Sequence, residues 1–303
     1  MDARAAGKTR DALKRLLALA ALLCGAAAHA GSLTLCSSEP ELNAGQQDAL
    51  LRFADVIARE LDASGREVAL IARAGLDLAR IGQRYSHAGF SLKASANGAW
   101  SVRQLYFDCN EQRPRLFDQG LAGFLYGARD PERGFVSVVL LPAERTEALA
   151  VAALDAPRSL SLLSAQYSAN AYAWGLDYQN CNQWVAEMLG LSFGASDSRA
   201  AAQVWLRDAG YVPSLVKAGF WLTLAAYFVP HAHNADHPRE DLELNQYRVS
   251  LPVAIEDFAH LLAPEAERIE FCLAPGRVVV HRGWTALADD CTAGPADRLV
   301  TLD

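Results

Sequence analysis

"DYQNCNQWVAEMLG", residues 177–190, sets one cysteine between two asparagines at what reads as the first turn of a helix. With Asn180 as N-cap, Gln183 falls at the third helical position, the capping-box arrangement in its Asn/Gln form. Cys181 is then the first helical residue, and Trp184, Val185, Met188 and Leu189 follow it at helical spacing as one apolar stripe that faces the core. The thiol therefore lies at the N-terminal end of the buried face, beside unpaired backbone N–H groups and the positive end of the helix dipole. Those conditions lower a thiol pKa from about 8.5 and favour the thiolate. An ordinary small buried residue fits the same position, because free cysteine is among the most buried types.

Working outward, "RYSHAGFSLKA" (84–94) opens a strand with His87 between small neighbours. On a period of two, Ala88, Phe90 and Leu92 form a core face, while His87, Gly89 and Ser91 form a small, polar one, suited to meeting a catalytic helix terminus. A lone histidine is more often a hydrogen-bonded structural residue, so His87 gains weight only beside Cys181.

The N-terminus bears on what a thiol can do. Arg10, Lys14 and Arg15 precede the apolar run "LLALAALLCGAA", and "AHA" at 28–30 has the form cut by signal peptidase, so residues 1–30 read as a secretion signal removed before Gly31. The run is shorter than the ~20 apolar residues a membrane span needs. Cys24 sits in a poor lipobox, which leaves a lipoprotein as the alternative. Cleavage removes five basic and two acidic residues and takes the formal charge from −7 to −10, a poor basis for binding nucleic acid or anionic lipid.

The mature chain keeps five cysteines, Cys36, Cys109, Cys181, Cys272 and Cys291. An odd number in an oxidising compartment leaves a thiol without an intramolecular partner, and Cys181 is the natural candidate. Cys272 and Cys291 flank a hairpin and are paired here on proximity in sequence, which leaves Cys36 for Cys109; connectivity is not fixed by sequence.

The remaining elements alternate. A helix is predicted over 44–62, strands over 67–73, 87–94, 99–107 and 134–142, and helices over 143–155 and 197–210, the last starting at Ser196 or Asp197 and closed by Gly210. Further strands are expected at 245–250 and 276–281. No linker divides the chain, and residues 211–303 are read as an extension packed on residues 31–210.

Together "SHAG" and "NCNQW" resemble the circularly permuted branch of the papain-like NlpC peptidase superfamily, which includes lecithin retinol acyltransferase-like enzymes. There the histidine comes first, at the start of a strand, and the cysteine later, at a helix N-terminus. More narrowly, "RYSHAGF", "QNCNQWVAEML" and "VHRGW" are similar to exported bacterial proteins grouped as domain of unknown function 2145. The superfamily resemblance implies an α+β, papain-like core of antiparallel strands with a catalytic helix. It implies a Cys181–His87 dyad and a polar orienter on the strand after the histidine, where Gln104 is the choice. Gln departs from the more usual His, Glu or Asn: its carbonyl accepts from a ring N–H but brings no charge. Gln179, Asn180, Asn182 and Gln183 flank the thiol as candidate substrate contacts, with Gln179 and Gln183 donating to an oxyanion beside the Cys181 N–H. The two glutamines fit helix capping equally well.

The expected function is that of an exported thiol-dependent hydrolase or acyltransferase. It would act on an amide or ester, such as a cell-envelope peptide or lipid-linked acyl group, without a cofactor. A non-catalytic envelope binding module on the same fold is the alternative. His231, His233, Asp236 and His237 lie in a Pro-bounded loop without the helical spacing of a catalytic zinc motif, so a solvated polar loop is expected and no metal. The apolar run 218–229 reads as a buried helix; membrane contact there is the minor reading and is not expected. His281 and Trp284 receive no role.

Overall fold

Strands buried on both faces read as near-continuous apolar runs, and the middle of this chain holds several. A computed structural model describes residues 42–127, 130, 132–194, 197–219 and 231–302. In chain order the elements are α1 (Ala44–Ala63), β1 (Val68–Arg73), β2 (His87–Leu92), β3 (Ser101–Asp108), β4 (Arg113–Gln119), α2 (Leu121–Tyr126), β5 (Phe135–Leu140), α3 (Ala143–Leu154), α4 (Ala156–Ser161) and α5 (Cys181–Phe193). They continue with α6 (Arg199–Asp208), β6 (Ser214–Lys217), α7 (Arg239–Glu243), β7 (Gln246–Val249), α8 (Pro252–Leu262), β8 (Glu267–Ala274), β9 (Arg277–Arg282) and β10 (Arg298–Thr301). Eight strands form one sheet in the order β10-β9-β8-β5-β1-β2-β3-β4, with antiparallel pairing throughout, and β6 and β7 form a separate antiparallel pair. The fold is mixed α+β around a large antiparallel sheet.

Every residue of β1, β2 and β5 is buried, because helices cover both faces. On one face, Phe53 and Ile57 of α1 and Phe124 of α2 join Ile71, Val102, Val138, Phe271 and Val280 of the sheet in a single apolar cluster. On the other, α3 lies against β1 and β2, and α5 against β2 and β3. The Phe90 and Trp184 rings meet edge to face there, 5.9 Å between centroids.

Three expectations change. The stripe on α5 is not its only buried face: residues 181–191 are buried on all sides, because the sheet, α3, α6 and α8 surround the helix. Residues beyond 210 are not merely packed on an earlier domain, since β8 pairs with β5 and extends the same sheet through β9 and β10. The helix expected over 197–210 runs from Arg199 to Asp208, starting two residues later: Ser198 is its N-cap, accepting from the Ala201 N–H, and Gly210 follows its end at φ +89°.

Cys272 and Cys291 form the expected disulfide, with Cα atoms 5.7 Å apart. Cys109 is also disulfide-bonded. Its expected partner Cys36 lies outside the described residues, as do residues 1–30, the cleavage point at Gly31 and nearly all of the run 218–229. Among the described residues no helix is long and apolar enough to cross a membrane.

Candidate functional site

The site begins with how α5 starts. Asn180 adopts extended backbone and its Oδ1 accepts from the Gln183 N–H at 2.7 Å, the expected N-cap. The box is not completed. Gln183 instead sends its amide to the carbonyls of Tyr172, Ala173 and Gly175, tying the preceding loop to the helix. Asn182 Nδ2 donates to the Ser86 carbonyl at 3.1 Å, so the first turn of α5 is fastened to the residue before His87.

That attachment brings the two motifs together. Backbone N–H groups of Asn182, of Cys181 itself and of Ala88, the residue after His87, reach the Cys181 sulfur and lower its pKa. Burial outweighs them. The residue is 8 % exposed, and loss of solvent pushes the thiol up to about 11, with Arg73 among the groups opposing the rise. Among the described residues Cys181 is the free cysteine. The expected drop in its pKa is therefore corrected: the helix terminus acts in the expected direction, but desolvation is larger.

His87 is ordered by a relay. Its Nε2 lies 2.7 Å from Gln104 Oε1, and Gln104 Nε2 donates to Gln119 Oε1 at 2.7 Å. The second bond turns the Gln104 carbonyl toward the ring, so the network assigns the proton to His87 Nε2 and leaves Nδ1 as the basic nitrogen. Burial and then the Arg73 charge depress the imidazole to about 3, against the raising effect of Gln104. The resting pair is thus a thiol and a neutral imidazole.

Gly89 makes the relay reachable. A Cβ there would stand 2.7 Å from the Arg103 carbonyl and 3.2 Å from Gln104 Cβ, so only glycine admits β3 at this spacing. Gln104 is fully buried and β3 is interior, because β4 pairs along its other side. The His87 face of β2 is likewise closed, with Tyr106 at 4.5 Å and Phe124 at 6.0 Å from the imidazole centroid. It is the face covered by α1 and α2, and α5 packs through Trp184 on the opposite, Phe90 face, which corrects the expectation that the His87 face meets the helix.

Of the four polar flanks, Gln179 has both amide protons committed, to the Leu162 carbonyl and to Glu187, and its Oε1 accepts from the Ser164 N–H. Asn180 Nδ2 makes long contacts to the Ala169 and Ser250 carbonyls. Their amide groups hold loops together; the backbone is what reaches the sulfur.

Arg73, Tyr106, Gln119 and Tyr167 were not foreseen. Arg73 is paired in register with His87, and its guanidinium donates to the Tyr106 hydroxyl and the Gly127 carbonyl. The Tyr167 hydroxyl is kept protonated by burial and then by its proximity to Cys181, which makes it a donor near the sulfur. A charge ending the apolar strand "VALIAR" was the available signal for Arg73; Tyr167 lies outside helix and strand and offered none.

The histidine loop is packed rather than solvated. His237 is 5 % exposed with Nε2 2.7 Å from the Asn170 carbonyl, His233 stacks on Tyr178, and His231 lies against Phe107. Asp236 accepts from the Tyr172 N–H. No group of three His, Cys, Asp or Glu side chains positioned for a metal occurs among the described residues. His281 bridges Asp297, at 2.6 Å, and Thr285, at 2.9 Å, while Trp284 stacks on His260.

Comparison with known proteins places the chain in a family. The family model described as "uncharacterized protein conserved in bacteria (DUF2145)" matches residues 60–259, and the chain belongs to that family. Both motifs of the site fall inside the match, whereas β8–β10 lie outside it. No curated protein and no solved structure matches the chain.

Proposed function

We propose that this family member is a thiol-dependent acyl hydrolase or acyltransferase acting on an amide or ester, with Cys181 as nucleophile and His87 as its base. The observation that carries the proposal is the free Cys181 sulfur at a helix N-terminus, faced by the N–H that follows His87. As sulfur attacks the carbonyl carbon, its proton passes to His87 Nδ1, while Gln104 holds Nε2–H. The oxyanion forms near the N–H groups of Cys181 and Asn182 and the Tyr167 hydroxyl. His87 then protonates the leaving amine or alcohol, giving a thioester. Water, or another acceptor, loses a proton to His87, attacks the thioester and returns the proton to sulfur.

The chain order, with histidine on a strand start before cysteine on a helix start, supports the resemblance to permuted papain-like enzymes. A cell-wall peptide or a lipid-linked acyl group is the substrate class that this analogy suggests. Export belongs to the same reading, supported by the Cys272–Cys291 disulfide. Intact-mass analysis of a periplasmic fraction should find a chain beginning at Gly31; an acylated Cys24 would replace export of a free protein with a lipoprotein.

A binding module on this fold is the second reading, favoured by one observation: the pair rests uncharged. Alkylation of the native, oxidised protein by iodoacetamide separates the two. If His87 serves as base, Cys181 alone is labelled, and its rate is nearly flat between about pH 5 and 8, where the imidazole is neutral and the thiol protonated. Replacing His87 by Ala should then give a slow reaction rising about tenfold per pH unit, as for an unassisted thiol. A Cys181 that stays inert until denaturant is added would favour the binding module.

A further inference from the structure

Two arginines are buried among the described residues, Arg73 and Arg268, and their surroundings differ. Arg268 pairs with Glu256 and Glu270. Arg73 is as deeply buried, at 4 % exposure, yet no carboxylate lies within ion-pair distance of it among the described residues. Its acceptors among the described residues are neutral, the Gly127 carbonyl and the Tyr106 hydroxyl, and its guanidinium lies 5.3 Å from the centre of the Phe124 ring. Nε is buried without a partner. A guanidinium has five N–H donors in a fork that matches a carboxylate, and a buried charge ordinarily demands an opposite one.

The surrounding backbone is cut away for this group. A Cβ on Gly127 or Gly75 would run into the guanidinium. The position is also specific: Arg73 is the register partner of His87, the Tyr106 hydroxyl that accepts from it belongs to the ring lying on His87, and its charge is felt at both His87 and Cys181. Of the two buried arginines, the one without a counter-ion among the described residues is therefore the one beside the thiol site.

We propose that Arg73 receives a carboxylate carried by the substrate beside the scissile carbonyl, so that the site selects anionic acyl donors. The assignment rests on Cys181 being the nucleophile. Arg73 is a specificity residue in this scheme: the incoming carboxylate supplies the absent counter-ion, takes up the unpartnered donor, and sets the carbonyl carbon against the sulfur. Neutral acyl donors leave the guanidinium as it stands and gain nothing from it.

Two alkylating agents of nearly equal size test this, iodoacetate and iodoacetamide, which differ in charge two bonds from the carbon that sulfur attacks. In each case sulfur displaces iodide and loses its proton. The ratio of the iodoacetate to the iodoacetamide rate at Cys181, divided by the same ratio for the denatured chain, should exceed one by about tenfold, the order expected for a charge a few ångströms away in a partly buried site. Arg73→Met should return it to about one, and Arg73→Lys, which keeps the charge and loses the fork, should fall between. Sodium acetate should slow iodoacetamide labelling of the wild-type protein at constant ionic strength, an effect absent in Arg73→Met. If Arg73→Met does not fold, acetate protection of the wild type and the Arg73→Lys ratio still decide. Labelling of Cys181 with no preference for iodoacetate and no acetate protection overturns the carboxylate assignment and leaves the nucleophile standing. A Cys181 that neither reagent labels in the native protein overturns both.

Discussion

Cys181 and Glu187 lie six residues apart on α5, both buried, and their surroundings are opposites. Glu187 accepts from Gln179 Nε2 at 2.6 Å, from Arg199 Nε at 2.9 Å and Nη2 at 3.1 Å, and from Gln203 Nε2 at 2.8 Å. Burial raises its pKa, and each of these donors works against the rise. The cation felt at Cys181 is Arg73, which has no carboxylate within ion-pair distance among the described residues, and the imidazole of His87 is held neutral. The carboxylate of Glu187 is satisfied within the chain; Arg73 Nε, beside the thiol, is left without a partner. That difference teaches where to look for a ligand, because a deficit costs stability and persists where something else makes it good.

The largest expected effect separates the two regions by stability. Glu187→Ala strips Arg199 of its carboxylate and leaves Gln179 and Gln203 with unmatched donors, at a cost of about 3–5 kcal/mol. Arg73→Met removes a buried charge that has no counter-ion, and the lost hydrogen bonds are offset by the desolvation no longer borne, for a net change of about 1 kcal/mol or less. Urea unfolding of both variants measures the contrast. A loss at Arg73 equal to that at Glu187 would break the comparison, placing Arg73 among the scaffold groups.

The pH dependence of stability sharpens it next. In the unfolded chain His87 takes up a proton below about pH 6.5, whereas the folded chain resists until about 3. The unfolded state then binds more protons, so stability falls as pH drops from about 6.5 toward 3, by about 3 kcal/mol at pH 4 for a shift of this size. Cys181 closes the alkaline side. Its folded value near 11 exceeds the ordinary range of about 8.5 to 9, so above pH 9 only the unfolded chain loses the proton. Stability then declines between the two values, by about 2–3 kcal/mol in all. Urea midpoints for His87→Gln and Cys181→Ser, read against wild type across the range, should lack the acid and the alkaline decline respectively. Limbs that survive both substitutions would mean that the site is hydrated and its groups ordinary.

What the sequence disclosed follows the range of its signals. Asn180, Cys181 and the helix after them were legible because capping and helical period are local, and His87 on a strand start was legible for the same reason. Gln104 came from the resemblance, which implies a polar orienter on the strand after the histidine. The stretch "RPRLFDQ" (113–119) did not read as a strand, since Pro114 and its charges suit only an edge, which is what β4 is. Without β4 neither Gln119 nor the burial of Gln104 is visible. The direction of the Cys181 shift was misjudged because the dipole argument uses three residues, while desolvation depends on everything packed around the helix. Arg73 needed the register of β1 against β2, a long-range fact that composition and period do not carry.

The smallest expected effect concerns the relay that stands in for a charged orienter. Gln119→Ala removes one hydrogen bond from a partly buried pair, worth about 1 kcal/mol in stability. It has a second consequence that a scaffold substitution does not. With Gln119 Oε1 gone, nothing forces the Gln104 carbonyl toward the ring, and the amide is free to turn and present Nε2 as a donor to His87. The imidazole would then carry its proton on Nδ1 in part of the population and lose its basic nitrogen there. Nitrogen-15 spectra of histidine-labelled protein should report one tautomer, protonated at Nε2, in the wild type and a mixture in Gln119→Ala, together with slower labelling of Cys181 at neutral pH. In the region of Glu187 no such exchange is open, because Arg199 has donors only and fixes the orientation of whatever it holds. A single tautomer in both proteins would show that packing by Tyr106 and Phe124, rather than the Gln104–Gln119 relay, sets the state of the base.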